Sequence, residues 1–98
     1  MNSINRQHNF IMNVIKFSAD WCGPCKAMAP IFEKASKQYP DIKFIDSDVE
    51  DDPELAEKYH IRNVPTFIVT GKDNEEIVRR SGSMTFDQLC KMVETAAA

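Results

Sequence analysis

The chain reads as an α/β domain built on a mixed four-stranded sheet with helices on both faces. Three observations predict this. Ile11 to Phe17 is almost continuously apolar and rich in branched residues, which suits a strand covered on both sides. A helical apolar stripe follows it, and a short Gly71-Lys72-Asp73-Asn74 segment separates two later strand-like runs. A crossover helix makes its flanking strands parallel, whereas a tight turn makes its strands antiparallel, so the sheet must be mixed.

The elements follow in order. Residues 1–10 are polar, with Asn2, Asn5, Arg6 and Asn9, and read as an N-terminal arm or short edge element; 11–95 read as the folded domain. Ser18 to Cys25 carries turn signals and then opens a helix. Cys25, Met28, Phe32, Ala35 and Tyr39 form one apolar stripe on that helix, with Glu33 and Lys37 one turn apart on its wet face. Pro30 removes one helical hydrogen bond and predicts a kink. Lys43 to Ser47 reads as a second strand. Asp52 caps a short helix that starts at Pro53 and runs through Tyr59. Thr66 to Thr70 and Glu76 to Arg80 are the antiparallel pair. Thr85 caps a last helix whose apolar positions are Phe86, Leu89 and Val93.

At 98 residues, 43% hydrophobic and 28% charged, the chain has the makings of one globular domain rather than a disordered segment. A formal charge of −3 is poor equipment for gripping a phosphate backbone, so direct nucleic-acid binding is not expected. No apolar run reaches membrane-spanning length. The N-terminus lacks a basic region followed by an apolar stretch, and the cytoplasm is the expected compartment. A monomer is expected.

Of the three cysteines, Cys90 stands alone, and Cys22 and Cys25 enclose Gly23-Pro24 where a strand hands over to a helix. Unpaired amides and the helix dipole favour negative charge at a helix N-terminus, and the thiolate is the nucleophile. Cys22, at the tip, is therefore expected to be exposed and to ionise readily. Cys25, one turn inward at the head of the apolar stripe, is expected to be shielded and placed to resolve a mixed disulfide. Pro24 presets helical geometry. A zinc site would need four ligands, and His8, His60 and Cys90 show no paired spacing, so no metal is expected. Asp46, Asp48, Glu50 to Asp52, Glu54 and Glu57 crowd one segment, and Asp46, Asp48, Glu50 and Glu57 resemble a calcium loop only loosely. Asp51 stands where the sharp turn requires glycine, and Pro53 breaks the pattern, so a solvated acidic surface is the better reading. Cys90 is expected to be a half-buried, inert thiol.

Trp21-Cys22-Gly23-Pro24-Cys25-Lys26 resembles the active-site motif of thioredoxins. Phe17 to Asp20, Ala29-Pro30, Arg62-Asn63-Val64-Pro65-Thr66-Phe67 and Gly82 are similar to further family positions. The resemblance runs from about Ile11 to Val93. It implies a thioredoxin-like three-layer fold and reduction of protein disulfides, with Cys22 attacking and Cys25 displacing the reduced product. No cofactor is implied beyond the redox-active cysteine pair, and the electron donor would be a thioredoxin reductase or something similar. It also implies a cis Val64–Pro65 bond and a shallow substrate surface of Trp21, Gly23, Pro24, Val64, Pro65 and Gly82.

Two features depart from the family pattern. Ten residues before Ile11 cannot supply the strand and helix that relatives carry there, so a shortened domain is expected, its edge covered at most by an arm around Asn5 to Phe10. Lys16 stands where relatives hold a buried acid. It is expected to pair with Asp46 on the adjacent parallel strand, or else to extend its ammonium to water. Paired and charged, Lys16 would favour a Cys25 thiolate and a more oxidising protein; neutral, it could accept the Cys25 proton. The alternatives to a reductase are an oxidase or isomerase, and a non-enzymatic docking module for a larger protein.

Overall fold

Alternation along the first strand sets the layers of the computed structural model, which describes residues 10–98. In order, the chain forms β1 (Met12–Ser18), α1 (Gly23–Gln38), β2 (Ile42–Asp48), α2 (Pro53–Lys58), β3 (Thr66–Gly71), β4 (Glu76–Ser81) and α3 (Phe86–Ala97). Met12 and Val14 of β1 join Phe67 and Val69 of β3 on one sheet face. There they pack against Met28, Phe32 and Ala35 of α1 and Leu89, Met92 and Val93 of α3. Ile15, Phe17 and Ile68 point the other way, onto Tyr59 and the half-buried Leu55 of the α2 region. The period of two in the strands thus divides the core into two apolar layers with the sheet between them.

The strand order is β2-β1-β3-β4. β1 pairs in parallel with β2 and antiparallel with β3, and β3 pairs antiparallel with β4. The mixed sheet is therefore as expected, and the two inner strands are the two most apolar. The arm expected to guard the sheet edge lies outside the described residues except for Phe10.

Local rules account for the helix ends. Asp52 accepts the Leu55 amide at 3.2 Å, with Pro53 next in the first turn of α2. Thr85 and Gln88 form a reciprocal capping box, with bonds of 3.1 and 2.9 Å. α1 continues through Pro30 to Gln38. At its far end the Tyr39 hydroxyl donates to Glu94 at 2.7 Å, tying α1 to α3. Burial, and then that carboxylate, push the Tyr39 phenol well above its ordinary range. No helix among the described residues is long and apolar enough to cross a membrane.

Candidate active site

β1 ends at Ser18, and the Ala19 to Trp21 turn delivers Cys22 to the N-cap of α1. Cys22 is extended there, and its Sγ accepts the Cys25 backbone amide at 3.2 Å. One of the orphan donors of the helix start is thereby spent on this sulfur. Cys22 and Cys25 form a disulfide, their Cα atoms 5.3 Å apart. Gly23 and Pro24, between them, are exposed.

One expectation is corrected here. Cys22 is only 4% exposed, against 3% for Cys25, so the outer sulfur does not stand open to solvent. Ala19, Val49 and Val64 pack around the pair. What separates the two cysteines is position: Cys22 caps the helix and receives its amide, while Cys25 lies inside the first turn.

The rim around the pair is uneven. Trp21 is 69% exposed, its indole Nε1 donating to Glu50 at 3.1 Å. The Val64–Pro65 bond is cis, matching the expectation. Val64 is half-buried, whereas Pro65 is buried and contributes its carbonyl, which accepts the Gly82 amide at 2.8 Å. Gly82 takes the left-handed region at φ 93°. Val64 thus packs against the disulfide, and the neighbouring Pro65 is tied to Gly82 through that hydrogen bond.

Lys16 lies below, its side chain 3% exposed. The ammonium does not reach bulk water. It sits 3.5 Å from Asp46 Oδ2 and 3.4 Å from the Cys25 carbonyl, over the Phe32 ring at 5.6 Å from its centroid. Lys16 and Asp46 are register partners across the β1–β2 pair, which is why the expected pairing forms. A cleft of about 160 Å³ opens beside them, lined by Lys16, Ser18, Asp20, Cys25, Lys26 and Asp46 among others.

Three participants are not evident from the sequence. Glu50 belongs by sequence to an acidic surface, yet it accepts the Trp21 indole. Ser18 donates to Asp46 Oδ1 at 3.1 Å; its place two residues after Lys16, on the same strand face, was the available signal. The third, Phe32, belongs by its spacing to the apolar stripe of α1, yet its ring also lies under the Lys16 ammonium.

A family model described as thioredoxin matches residues 2–95. The chain belongs to the thioredoxin family. Among curated relatives it is 51% identical to thioredoxin H5 of Oryza sativa subsp. japonica, over 70% of this chain and 50% of that protein. To the thioredoxin of Chlamydia trachomatis serovar D it is 32% identical, over 95% of this chain and 96% of that one. The chain spans about half the length of the first curated relatives it matches, 50% and 54%. Among solved structures, oxidised mitochondrial thioredoxin 3 of Saccharomyces cerevisiae superposes with a TM-score of 0.79 at 35% identity, covering 90% of this chain and 81% of that one. Fasciola hepatica thioredoxin gives 0.82 at 34% identity, with 91% and 84% covered. The thioredoxin fold is thus shared over 90% and 91% of this chain.

Proposed function

We propose that the chain is a thiol–disulfide oxidoreductase that reduces disulfides in proteins. The observation that carries this reading is the Cys22–Cys25 disulfide closed over the first turn of α1, with the Cys25 amide directed at Cys22 Sγ. An amide and a helix N-terminus that stabilise one sulfur as an anion make Cys22 the attacking thiolate in the reduced protein. Cys25 then attacks Cys22 Sγ in the mixed disulfide, the substrate leaves as a thiol, and the pair returns to the bonded state.

Trp21, Val64, Pro65 and Gly82, with Gly23 and Pro24, are proposed to seat the substrate chain around that sulfur. The 4% exposure of Cys22 fits an approach along this rim, where substrate contacts displace little protein. Lys16 and Asp46 are proposed to tune the pair. An ammonium held 3.4 Å from the Cys25 carbonyl favours negative charge on that cysteine, stabilises the dithiol state and makes the protein more oxidising. That same charge favours an oxidase or isomerase role as the second reading. The reductase reading also includes a monomer in the cytoplasm, no bound cofactor, and a thioredoxin reductase or similar electron donor. The family match supports this last part.

The test is reduction of insulin disulfides with dithiothreitol as donor, comparing the wild type with Cys22→Ser, Cys25→Ser and the double variant. The expected result is catalysis by the wild type, stalled mixed disulfides in Cys25→Ser and no catalysis when Cys22 is replaced. Equal rates for the wild type and the double variant would leave only the docking-module reading.

A further inference from the structure

We propose that Asp46 is the acceptor of the Cys25 proton, working through water in the cleft that both residues line, and that Lys16 is the residue that positions it. This deepens the dithiol–disulfide reading above and rests on it.

The step that needs an acceptor is resolution of the mixed disulfide. Cys22 Sγ is then bonded to a substrate sulfur, and Cys25 carries a thiol. The thiol gives up its proton, and its electron pair forms the Cys25–Cys22 bond. The Cys22–substrate bond breaks, and the substrate sulfur leaves with that bond's electron pair as a thiolate, which takes a proton from water. Together with the first attack, two electrons pass from the protein dithiol to the substrate disulfide. Cys25 is 3% exposed, so its proton cannot pass directly to bulk solvent.

Lys16 lies against Cys25, and its surroundings are those that hold a cation. Its Nζ faces the Asp46 carboxylate at 3.5 Å, the Cys25 carbonyl at 3.4 Å and the Phe32 ring at 5.6 Å. All three neighbours are ones that attract a cation. An ammonium so held has no lone pair for a proton; it stabilises the thiolate as that forms.

A carboxylate remains, and Asp46 is the one this arrangement points to. The cleft of about 160 Å³ lined by Cys25 and Asp46 is roomy enough for water. Each carboxylate oxygen is held: Ser18 Oγ donates to Oδ1 at 3.1 Å, and Lys16 faces Oδ2. Because the Asp46 side chain is 56% exposed, it can hand the proton on to solvent. The other charged groups near Asp46 come from every neighbouring element. Asp20 of the β1–α1 turn and Lys26 of α1 line the same cleft. Asp48, Asp51 and Asp52 line an adjoining one with Asp46. Of these, Asp48 is engaged by the Glu50 amide at 2.7 Å, and Asp52 caps α2. Asp20 is therefore the competing carboxylate, and it lacks the Lys16 bridge to Cys25.

The experiment is rapid mixing of the reduced chain with a symmetrical aromatic disulfide that releases a coloured thiol, across pH, in a Cys90→Ser background. The first release reports attack by Cys22 and the second reports resolution by Cys25. Asp46→Asn is expected to slow the second release about tenfold or more near neutral pH and to move its rise to higher pH. Asp46→Glu, which keeps a carboxylate, is expected to restore most of the rate and guards against a folding defect. An unchanged second release in Asp46→Asn would overturn the proposal, as would a loss carried by Asp20→Asn instead. A wild type without two successive releases would overturn the dithiol reading itself, and the proposal with it.

Discussion

The ammonium of Lys16 and the carboxylate of Asp46 lie 3.5 Å apart in very different surroundings, with side chains 3% and 56% exposed. Deleting either end therefore has unequal consequences. Lys16→Met leaves a carboxylate that water can reach and sets an apolar side chain beside Phe32. It is expected to leave stability unchanged or raise it by about 1 kcal/mol. Asp46→Ala leaves a buried ammonium with only the Cys25 carbonyl and the Phe32 ring, and is expected to lose about 1–3 kcal/mol. Chemical denaturation of the two variants measures this, and a larger loss for Lys16→Met would contradict it.

The same contact predicts a redox effect. Without the ammonium, negative charge on Cys25 is less favoured and the dithiol state is less stable. Lys16→Met should then be the stronger reductant, its potential more negative by about 30 mV for each tenfold change in the exchange constant. Equilibration with glutathione reads this directly; an unchanged or more positive potential would remove Lys16 from the tuning role.

Gly82 donates its amide to the Pro65 carbonyl from φ 93°, and open space surrounds the place a Cβ would occupy. The cost of Gly82→Ala is thus backbone conformation rather than collision, about 1–2 kcal/mol. The expected result is a measurable loss of thermal stability and a raised KM for protein substrates. Wild-type values for both would show that the left-handed backbone is not needed there.

On β4, Arg79 holds Glu76 through bonds of 2.7 and 2.8 Å and donates to the Tyr59 carbonyl at 2.6 Å. The guanidinium hydrogen bonds hold the Glu76 carboxyl below its usual range. A depressed folded-state value means that the pair stabilises above the unfolded value, near pH 4.3, and loses this as pH falls through the folded one. Both side chains are about a third exposed, so the contribution is small, ~0.2–1 kcal/mol. Glu76→Gln should therefore be less stable than the wild type at pH 7, and the difference should vanish as pH falls through the folded-state value. A deficit that persists in acid would assign the effect to packing.

Much of the architecture was legible because its causes are local. β1 reads as a buried strand because apolar layers cover both faces of the sheet at that strand. Thr85 and Gln88, or Asp52 and Leu55, satisfy each other across three residues of chain, a spacing visible in any sequence. Even the Lys16–Asp46 pair could be anticipated, since parallel strands with matched alternation bring such positions side by side.

Other features needed the assembled molecule. Cys22 was expected at an open tip, but Ala19, Val49 and Val64 close around it from separate segments. Glu50 reaches Trp21 and Tyr39 reaches Glu94 across 29 and 55 residues, and no periodicity encodes such meetings. Spacing rules settle which residues share a face or a helix turn, because the backbone repeats every two or 3.6 residues. Burial and side-chain partnership depend on how whole layers pack, and this chain decides both only when its two apolar layers close over the sheet.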